Sequence, residues 1–290
     1  MIRKGMVLAG GAGSRLYPIT RSVAKPLLAV YDKPMVYYPL STLMLAGIQD
    51  VLLISTPQDR GLFENLLGDG SQWGMSISYE VQPVPKGIAQ AFSIGKDFAA
   101  GEGAALVLGD NVFYGLDLVD ELMDAASQES GATVFAYEVE NPSDFGVVEF
   151  DSQKRAISLE EKPKNPKSNY AVTGLYFYDQ KAFDLVDELA PSDRGELEIT
   201  DLNKLYLAQN ELKVKTLGQG YAWLDTGTHE LILEASNFIH TVERRMGFKI
   251  SCLEEIAYKK GWINAEQVEK LAEPLKKTEY GQYLLKILKS

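Results

Sequence analysis

The segment Gly10-Gly11-Ala12-Gly13-Ser14-Arg15 joins a run of small residues to a cation, directly behind the apolar run Gly5–Ala9. Glycine lets the backbone turn sharply and present several N–H groups to one anion. The fork of Arg15 matches phosphate oxygens. The segment therefore reads as a phosphate cradle; a tight strand-to-helix turn with a surface arginine is the alternative. Ten residues on, Lys25-Pro26 offers a second cation in a loop braced by Pro18. It is placed either to neutralise charge growing on a phosphoryl group or to stand solvated at the surface. The P-loop spacing G-x-x-x-x-G-K-[ST] is absent. The dinucleotide fingerprint fails because Leu16 stands where its third glycine belongs.

Asp110 follows the apolar run Ala104–Leu108, which puts it at a strand's carboxyl end, where open α/β sheets bind ligands. A carboxylate there can hold a hard cation such as Mg²⁺ that bridges phosphates. Asp225, behind Trp223-Leu224, is a candidate second ligand, although an aspartate before Thr226-Gly227 equally suits a turn. Gln82 opens the loop Gln82-Pro83-Val84-Pro85-Lys86-Gly87, a proline-stiffened turn. Its carboxamide carries the donor and the acceptor that the imide edge of thymine or uracil needs. His229 and His240 have no partner at metal-ligand spacing. Cys252, the single cysteine, excludes an internal disulfide and fits a reducing compartment.

Positioning these residues requires an α/β frame. Strand-like runs at Gly5–Ala9, Asp50–Ser55, Ile77–Val81 and Ala104–Leu108 alternate with helical patterns at Pro34–Ala46, Asp59–Leu67, Gly87–Phe98 and Leu116–Ala126. This alternation predicts a Rossmann-like, mostly parallel sheet flanked by helices. After residue 130 the strand-like runs Thr133–Val139, Gly146–Phe150, Ala156–Leu159 and Ala171–Tyr178 extend the sheet over the site. Helices follow at Lys181–Leu189, Glu196–Gln209 and His229–Arg245. Residues 1–246 read as one catalytic domain, with a first part over about 1–130 and a second over about 131–228. Residues 247–290 read as a helical accessory unit. In it Asn264 and Gln267 form a capping box, and Ile263 and Val268 a hydrophobic staple.

The 290 residues carry a net charge of −11, with 46% hydrophobic and 24% charged residues. That is a globular composition, and its charge argues against nucleic-acid polymers as partners. No apolar run approaches the ~20 residues of a membrane span, and the N-terminus lacks a signal-peptide pattern; a cytoplasmic enzyme without a membrane partner is expected. The charge is uneven: residues 1–34 hold six cations (Arg3, Lys4, Arg15, Arg21, Lys25, Lys33) against Asp32 alone. The basic excess coincides with the glycine-rich segment.

Gly10 to Thr20 followed by Lys25-Pro26 resembles the signature of the sugar-1-phosphate nucleotidylyltransferases. Leu108-Gly109-Asp110-Asn111, Phe145-Gly146-Val147-Val148, Glu160-Glu161-Lys162-Pro163, Val172-Thr173-Gly174-Leu175-Tyr176 and Trp223-Leu224-Asp225-Thr226-Gly227 follow in the family's order. Arg194 to Asp201, Leu233 to Asn237 and Glu254 to Tyr258 narrow the resemblance to its thymidylyl-transferring members. It implies Mg²⁺-dependent transfer from dTTP to α-D-glucose 1-phosphate, with a UTP-using or other sugar-1-phosphate enzyme of the same fold as the alternative. It implies Asp110 and Asp225 as the metal pair and Arg15, Lys25 and Lys162 as the catalytic cations. Leu8, Gly10, Gly11, Ala12, Gly13, Ser14, Gln82, Pro85, Gly87 and Gly109 would surround the nucleotide. Gly146, Glu161, Lys162, Val172, Thr173, Tyr176 and Arg194 would surround the sugar phosphate. Taken locally, Glu161-Lys162 is a surface charge pair and Arg194 a helix-entry residue. The resemblance further implies a homotetramer with a regulatory nucleotide site at Tyr114, Gly115, Ser251, Glu255 and Ile256. Phe145 stands where tyrosine is frequent in the family.

Overall fold

Alternate residues of the first strand serve two different cores, and this sets the layers. In the computed structural model, which describes residues 1–289, Met6 packs with Leu52 and Leu106 on one face of the sheet. Val7 packs with Leu53 and Val107 on the other, as a strand's two-residue period requires. The strands are β1 (Lys4–Leu8), β2 (Ala29–Val30), β3 (Lys33–Pro34), β4 (Asp50–Ser55), β5 (Ser76–Val81), β6 (Ala104–Leu108), β7 (Asn111–Gly115), β8 (Ala132–Glu138), β9 (Gly146–Phe150), β10 (Ala156–Glu161), β11 (Tyr170–Tyr178), β12 (Leu212–Leu217) and β13 (Tyr221–Asp225).

The main sheet runs β10-β9-β11-β6-β1-β4-β5, with β8 alongside β11 and β12 alongside β8. Pairing is parallel among β6, β1, β4 and β5. Leu8 stands opposite both Ile54 and Leu108, and Ser55 opposite Val81. The carboxyl ends of these four strands therefore finish along one edge, and Gly10, Thr56, Gln82 and Asp110 all leave from it. The chain passes from β1 out through β4 to β5 and returns to β6 on the far side of β1. This edge is thus the point where strand order reverses, the usual ligand crevice of open α/β sheets.

β11 builds the second half of the crevice. Its first residues lie against β9, with Ala171 opposite Val147, and its last against β6, from Leu175 opposite Val107 to Tyr178 opposite Ala104. Thr173 and Gly174 sit where the ladder changes partner, and the sheet opens there. β7 and β13 form a separate antiparallel ribbon that places Asn111 opposite Asp225.

Several expected elements move for identifiable reasons. The helix expected over Gly87–Phe98 forms as Gln90–Ile94 and Lys96–Ala99. It breaks at Gly95, where a Cβ would meet the Met6 sulfur at 2.4 Å. The helix expected from Pro34 begins at Tyr37, because Lys33–Pro34 pairs with Ala29–Val30. β7, β12 and β13 are strands that the sequence pattern does not predict. In the C-terminal segment, helices Leu253–Lys259, Ala265–Ala272 and Glu279–Ile287 follow one another. Leu253 and Ala257 join the main core with Leu43 and Trp73, while Cys252, Val268, Ala272 and Leu284 make a small core of their own. Asn264 caps its helix by accepting from the Gln267 N–H at 2.9 Å. The return half of the capping box is not made, since the Gln267 side chain donates to the Gln72 carbonyl instead. Among the described residues no helix is long and apolar enough to cross a membrane.

Candidate active site

The glycine-rich turn ends in a short helical turn, Ser14–Leu16. It is held from below by the Thr20 hydroxyl, which donates to the Gly13 carbonyl at 2.7 Å. Gly11 and Ala12 are exposed, as is Arg15, whereas Leu16 anchors the turn in the interior. Leu8 and Gly109 meet at the base of the crevice, where the Gly109 N–H donates to the Leu8 carbonyl at 2.9 Å. Gly11, Ala12, Lys25, Gln82 and Pro85 line a common cavity of about 560 Å³ that reaches across to Thr56 and Asp59.

Lys25 and Asp110, 85 residues apart in sequence, form an ion pair at 2.5 Å. The other Asp110 oxygen accepts from the Asn111 amide at 2.9 Å, and its carbonyl accepts from the Thr226 hydroxyl at 2.8 Å. That last bond ties β7 to the turn behind β13 and brings Asp225 to the same place. Burial and the neighbouring charge of Asp110 raise the Asp225 carboxyl to about 6, against the pull of Lys25 and Arg15. Arg15 stands on the other side: a Cβ on Gly227 would lie 3.1 Å from an Asp225 oxygen and 3.4 Å from both terminal nitrogens of Arg15. Two cations and two carboxylates from three distant segments therefore converge on the edge where strand order reverses. Two nearby carboxylates without a histidine or thiolate suit a hard cation that completes its shell with phosphate and water oxygens. Among the described residues no cluster of three or more protein ligands forms a closed metal cage.

Gln82 is buried behind the glycine turn and extends the β4–β5 ladder through its N–H to the Ser55 carbonyl at 2.8 Å. Its loop folds back onto Leu197, whose N–H donates to the Lys86 carbonyl at 2.6 Å. Gly87, at φ +98°, passes so close that a Cβ would stand 2.3 Å from the Leu197 carbonyl oxygen. Only glycine fits that crossing.

The sugar-side residues meet in a second cavity, of about 780 Å³, lined by Glu161, Lys162 and Arg194. One Glu161 oxygen accepts from the Thr200 hydroxyl at 2.5 Å, the other from Arg194 at 3.2 Å. Arg194 also pairs with Glu198 at 2.8 Å and Glu196 at 3.5 Å, so its charge is matched by three carboxylates. Lys162 forms no ion pair among the described residues. Its backbone sits at φ +44°, a strained conformation for a residue with a side chain, held by its N–H to the Phe145 carbonyl at 2.9 Å. Gly146 lies against Thr200 and Glu161. Val172, Thr173 and Tyr176 lie buried along β11. The Thr173 hydroxyl is buried without a hydrogen-bond partner. The Tyr176 phenol is pushed upward by burial and then by the charges of Glu161 and Asp110.

Asn111 belongs to the motif Leu108-Gly109-Asp110-Asn111, and the sequence alone gives it no role at the site. It is 3% exposed, and its carbonyl oxygen accepts from Trp223 Nε1 at 2.6 Å and from the Gly174 N–H at 3.1 Å. It thus fills the gap where β11 changes partner. Of the five residues expected at a regulatory site, Tyr114 and Gly115 lie on β7, Glu255 and Ile256 on the helix Leu253–Lys259, and Ser251 just before that helix. Tyr114 contacts Met246 and Phe238, Gly115 abuts Tyr221, and Ser251 bonds Ser41. Glu255 bonds Tyr283 and Lys259, and Ile256 packs on the main core.

Paired cations over a glycine turn, at the ligand edge of an open α/β sheet, make this an enzyme that handles phosphorylated ligands. Comparison with known proteins gives the family. The nucleotidyl transferase pattern matches residues 4–242. The chain is 59% identical over 287 residues to the glucose-1-phosphate thymidylyltransferase of Xanthomonas campestris pv. campestris (strain B100), covering 99% of this chain and 97% of that protein. A Bacillus anthracis crystal structure with bound sucrose superposes at TM-score 0.75 with 41% identity, over 81% of this chain and 94% of that one. A UDP-glucose pyrophosphorylase complexed with UDP-glucose superposes at TM-score 0.71 with 26% identity, over 83% and 99%. The chain belongs to the nucleotidyl transferase family, and the resemblance read from its motifs holds.

Proposed function

We propose that the chain transfers a thymidylyl group from dTTP to α-D-glucose 1-phosphate, giving dTDP-glucose and pyrophosphate. The observation that carries this reading is the convergence of Arg15, Lys25, Asp110 and Asp225, with Lys25 also lining the nucleotide-sized cavity. The sugar-phosphate oxygen attacks the α-phosphorus in line; a new P–O bond forms there as the bond to the β-phosphate oxygen breaks, and pyrophosphate leaves with the electron pair. A phosphate is already largely ionised at pH 7, so no general base is needed. Catalysis then consists of positioning and charge stabilisation.

Lys162 holds the attacking phosphate, Lys25 stabilises the α-phosphate and Arg15 the departing pyrophosphate. Lys25 pairs with Asp110, and in the reaction its ammonium serves the phosphoryl oxygens beside that carboxylate. Asp110 and Asp225 would hold Mg²⁺, which supplies charge neutralisation on the phosphate oxygens when bound. Gln82 reads the base edge, and Glu161 accepts from sugar hydroxyls. The reaction belongs to a reducing cytoplasm, and assembly into a homotetramer goes with the family reading.

UTP in place of dTTP is the second reading, favoured by the likeness to a UDP-glucose pyrophosphorylase; the far higher identity to a thymidylyltransferase supports dTTP. Initial rates of pyrophosphate release across dTTP and UTP, each with several sugar 1-phosphates, test the choice. Fastest release with dTTP and glucose 1-phosphate is expected; a clear preference for UTP overturns the assignment of the donor.

A further inference from the structure

Gln90 opens the short helix Gln90–Ile94 and points its side chain back into the loop that Gln82 begins. Its carbonyl oxygen accepts two hydrogen bonds: from the backbone N–H of Lys86 at 3.0 Å and from Gln82 Nε2 at 2.8 Å. The second hydrogen on Gln82 Nε2 goes to the Gly87 carbonyl at 3.4 Å. Both donors of the Gln82 carboxamide are thereby occupied. Its Oε1 receives no hydrogen bond among the described residues and faces Gly10, where a Cβ would lie only 2.6 Å away.

The orientation of both amides follows from one fixed donor. A backbone N–H cannot reverse, so Lys86 requires the oxygen of Gln90, not its nitrogen, to face the loop. That oxygen in turn requires the nitrogen of Gln82. Rotating the Gln82 amide would bring two acceptor oxygens together and strand a donor against Gly10, and each unmade buried bond is costly.

We infer that Gln90 is a positioning residue for base selection: by holding Gln82 with its acceptor toward the nucleotide cavity, it makes the site demand an N–H from the base. The inference rests on the reading of Gln82 as the base-contacting residue. Thymine and uracil carry that N–H at N3. Cytosine presents a lone pair there, which meets the lone pairs of Gln82. Discrimination against cytosine thus depends on a residue one shell behind the one that touches the base. The chemistry Gln90 needs is an acceptor alone, since among the described residues no bond uses its own amide nitrogen.

Two substitutions separate this role from a packing role. Gln90→Met keeps the length of the side chain and removes the acceptor; Gln90→Glu keeps the acceptor. The readout is the ratio of kcat/KM for dTTP to that for dCTP, with glucose 1-phosphate saturating. Gln90→Met is expected to lower the ratio by about 10- to 100-fold, through KM for the nucleotide, with KM for glucose 1-phosphate unchanged. Gln90→Glu is expected to keep the ratio within about 3-fold of wild type. Equal losses on both triphosphates in Gln90→Met, or a Gln90→Glu ratio as low as that of Gln90→Met, overturn the inference. If Gln90→Met does not fold, Gln90→Glu decides alone: its ratio stays or the inference fails. Wild-type enzyme without turnover on dTTP contradicts the proposed function instead, so the two failures are distinguishable.

Discussion

Trp223 donates its indole N–H to Asn111 at 2.6 Å, across the β7–β13 ribbon. Because the same Asn111 oxygen receives the Gly174 N–H and the Asn111 amide donates to Asp110, one buried carboxamide links three strands to a site carboxylate. Asn111→Leu leaves two buried N–H groups unpaired and frees one Asp110 oxygen. A loss of about 2–4 kcal/mol in stability is expected, from two unmade bonds, with a fall in kcat beyond what unfolding explains. Chemical denaturation with parallel rate measurements checks both; unchanged kcat in folded protein would show that Asp110 does not depend on this support.

Lys162, like Arg15, forms no ion pair among the described residues, so its charge is available to a phosphate. Lys162→Ala is expected to reduce kcat by ~10²–10³, by comparison with lost oxyanion donors, while dTTP binding measured by calorimetry changes little. Equal losses in turnover and dTTP affinity would contradict its assignment to the sugar phosphate.

Asp110→Asn removes a charge that Lys25 neutralises and that raises the Asp225 carboxyl. Mg²⁺-dependent turnover is expected to fall below detection, while the thermal midpoint stays at or near that of the wild type. Near-normal activity would remove Asp110 from the metal pair.

A control far from the chemistry lies in the buried charge cluster beside the C-terminal segment. Glu243 accepts from Lys33 at 3.1 Å, Lys249 at 2.9 Å and the Ile250 N–H at 2.9 Å, and Lys33 is 3% exposed. Glu243→Leu is expected to cost about 3–5 kcal/mol of stability, as breaking buried pairs does. Turnover should be preserved in the folded fraction. A melting point unchanged from wild type would show the cluster to be neutral.

The parts of the site legible in sequence are those that directly follow an apolar run. Gly10, Gln82 and Asp110 each stand one or two residues beyond a strand whose residues show its burial, and parallel pairing brings those ends to one edge. Asn111 escaped because β7 is a short ribbon strand rather than a member of the main sheet, and with β13 also unseen, its position opposite Asp225 was not readable. Nothing in the sequence marks Gln90; its role depends on a loop that folds back over eight residues. Taken locally Arg194 is a helix-entry residue; its pairing with Glu161, 33 residues away, follows only from the tertiary fold. Local patterns fix strands and turns, whereas charge pairing and amide orientation depend on the tertiary fold.

The most direct test of the account follows the phosphorus atoms. With dTTP carrying radiophosphorus at the α position and glucose 1-phosphate as acceptor, the label should appear in dTDP-glucose. With the label at the γ position it should appear wholly in pyrophosphate. Release of the γ label as orthophosphate, or an α label that never joins the sugar nucleotide, would contradict nucleotidyl transfer at this site.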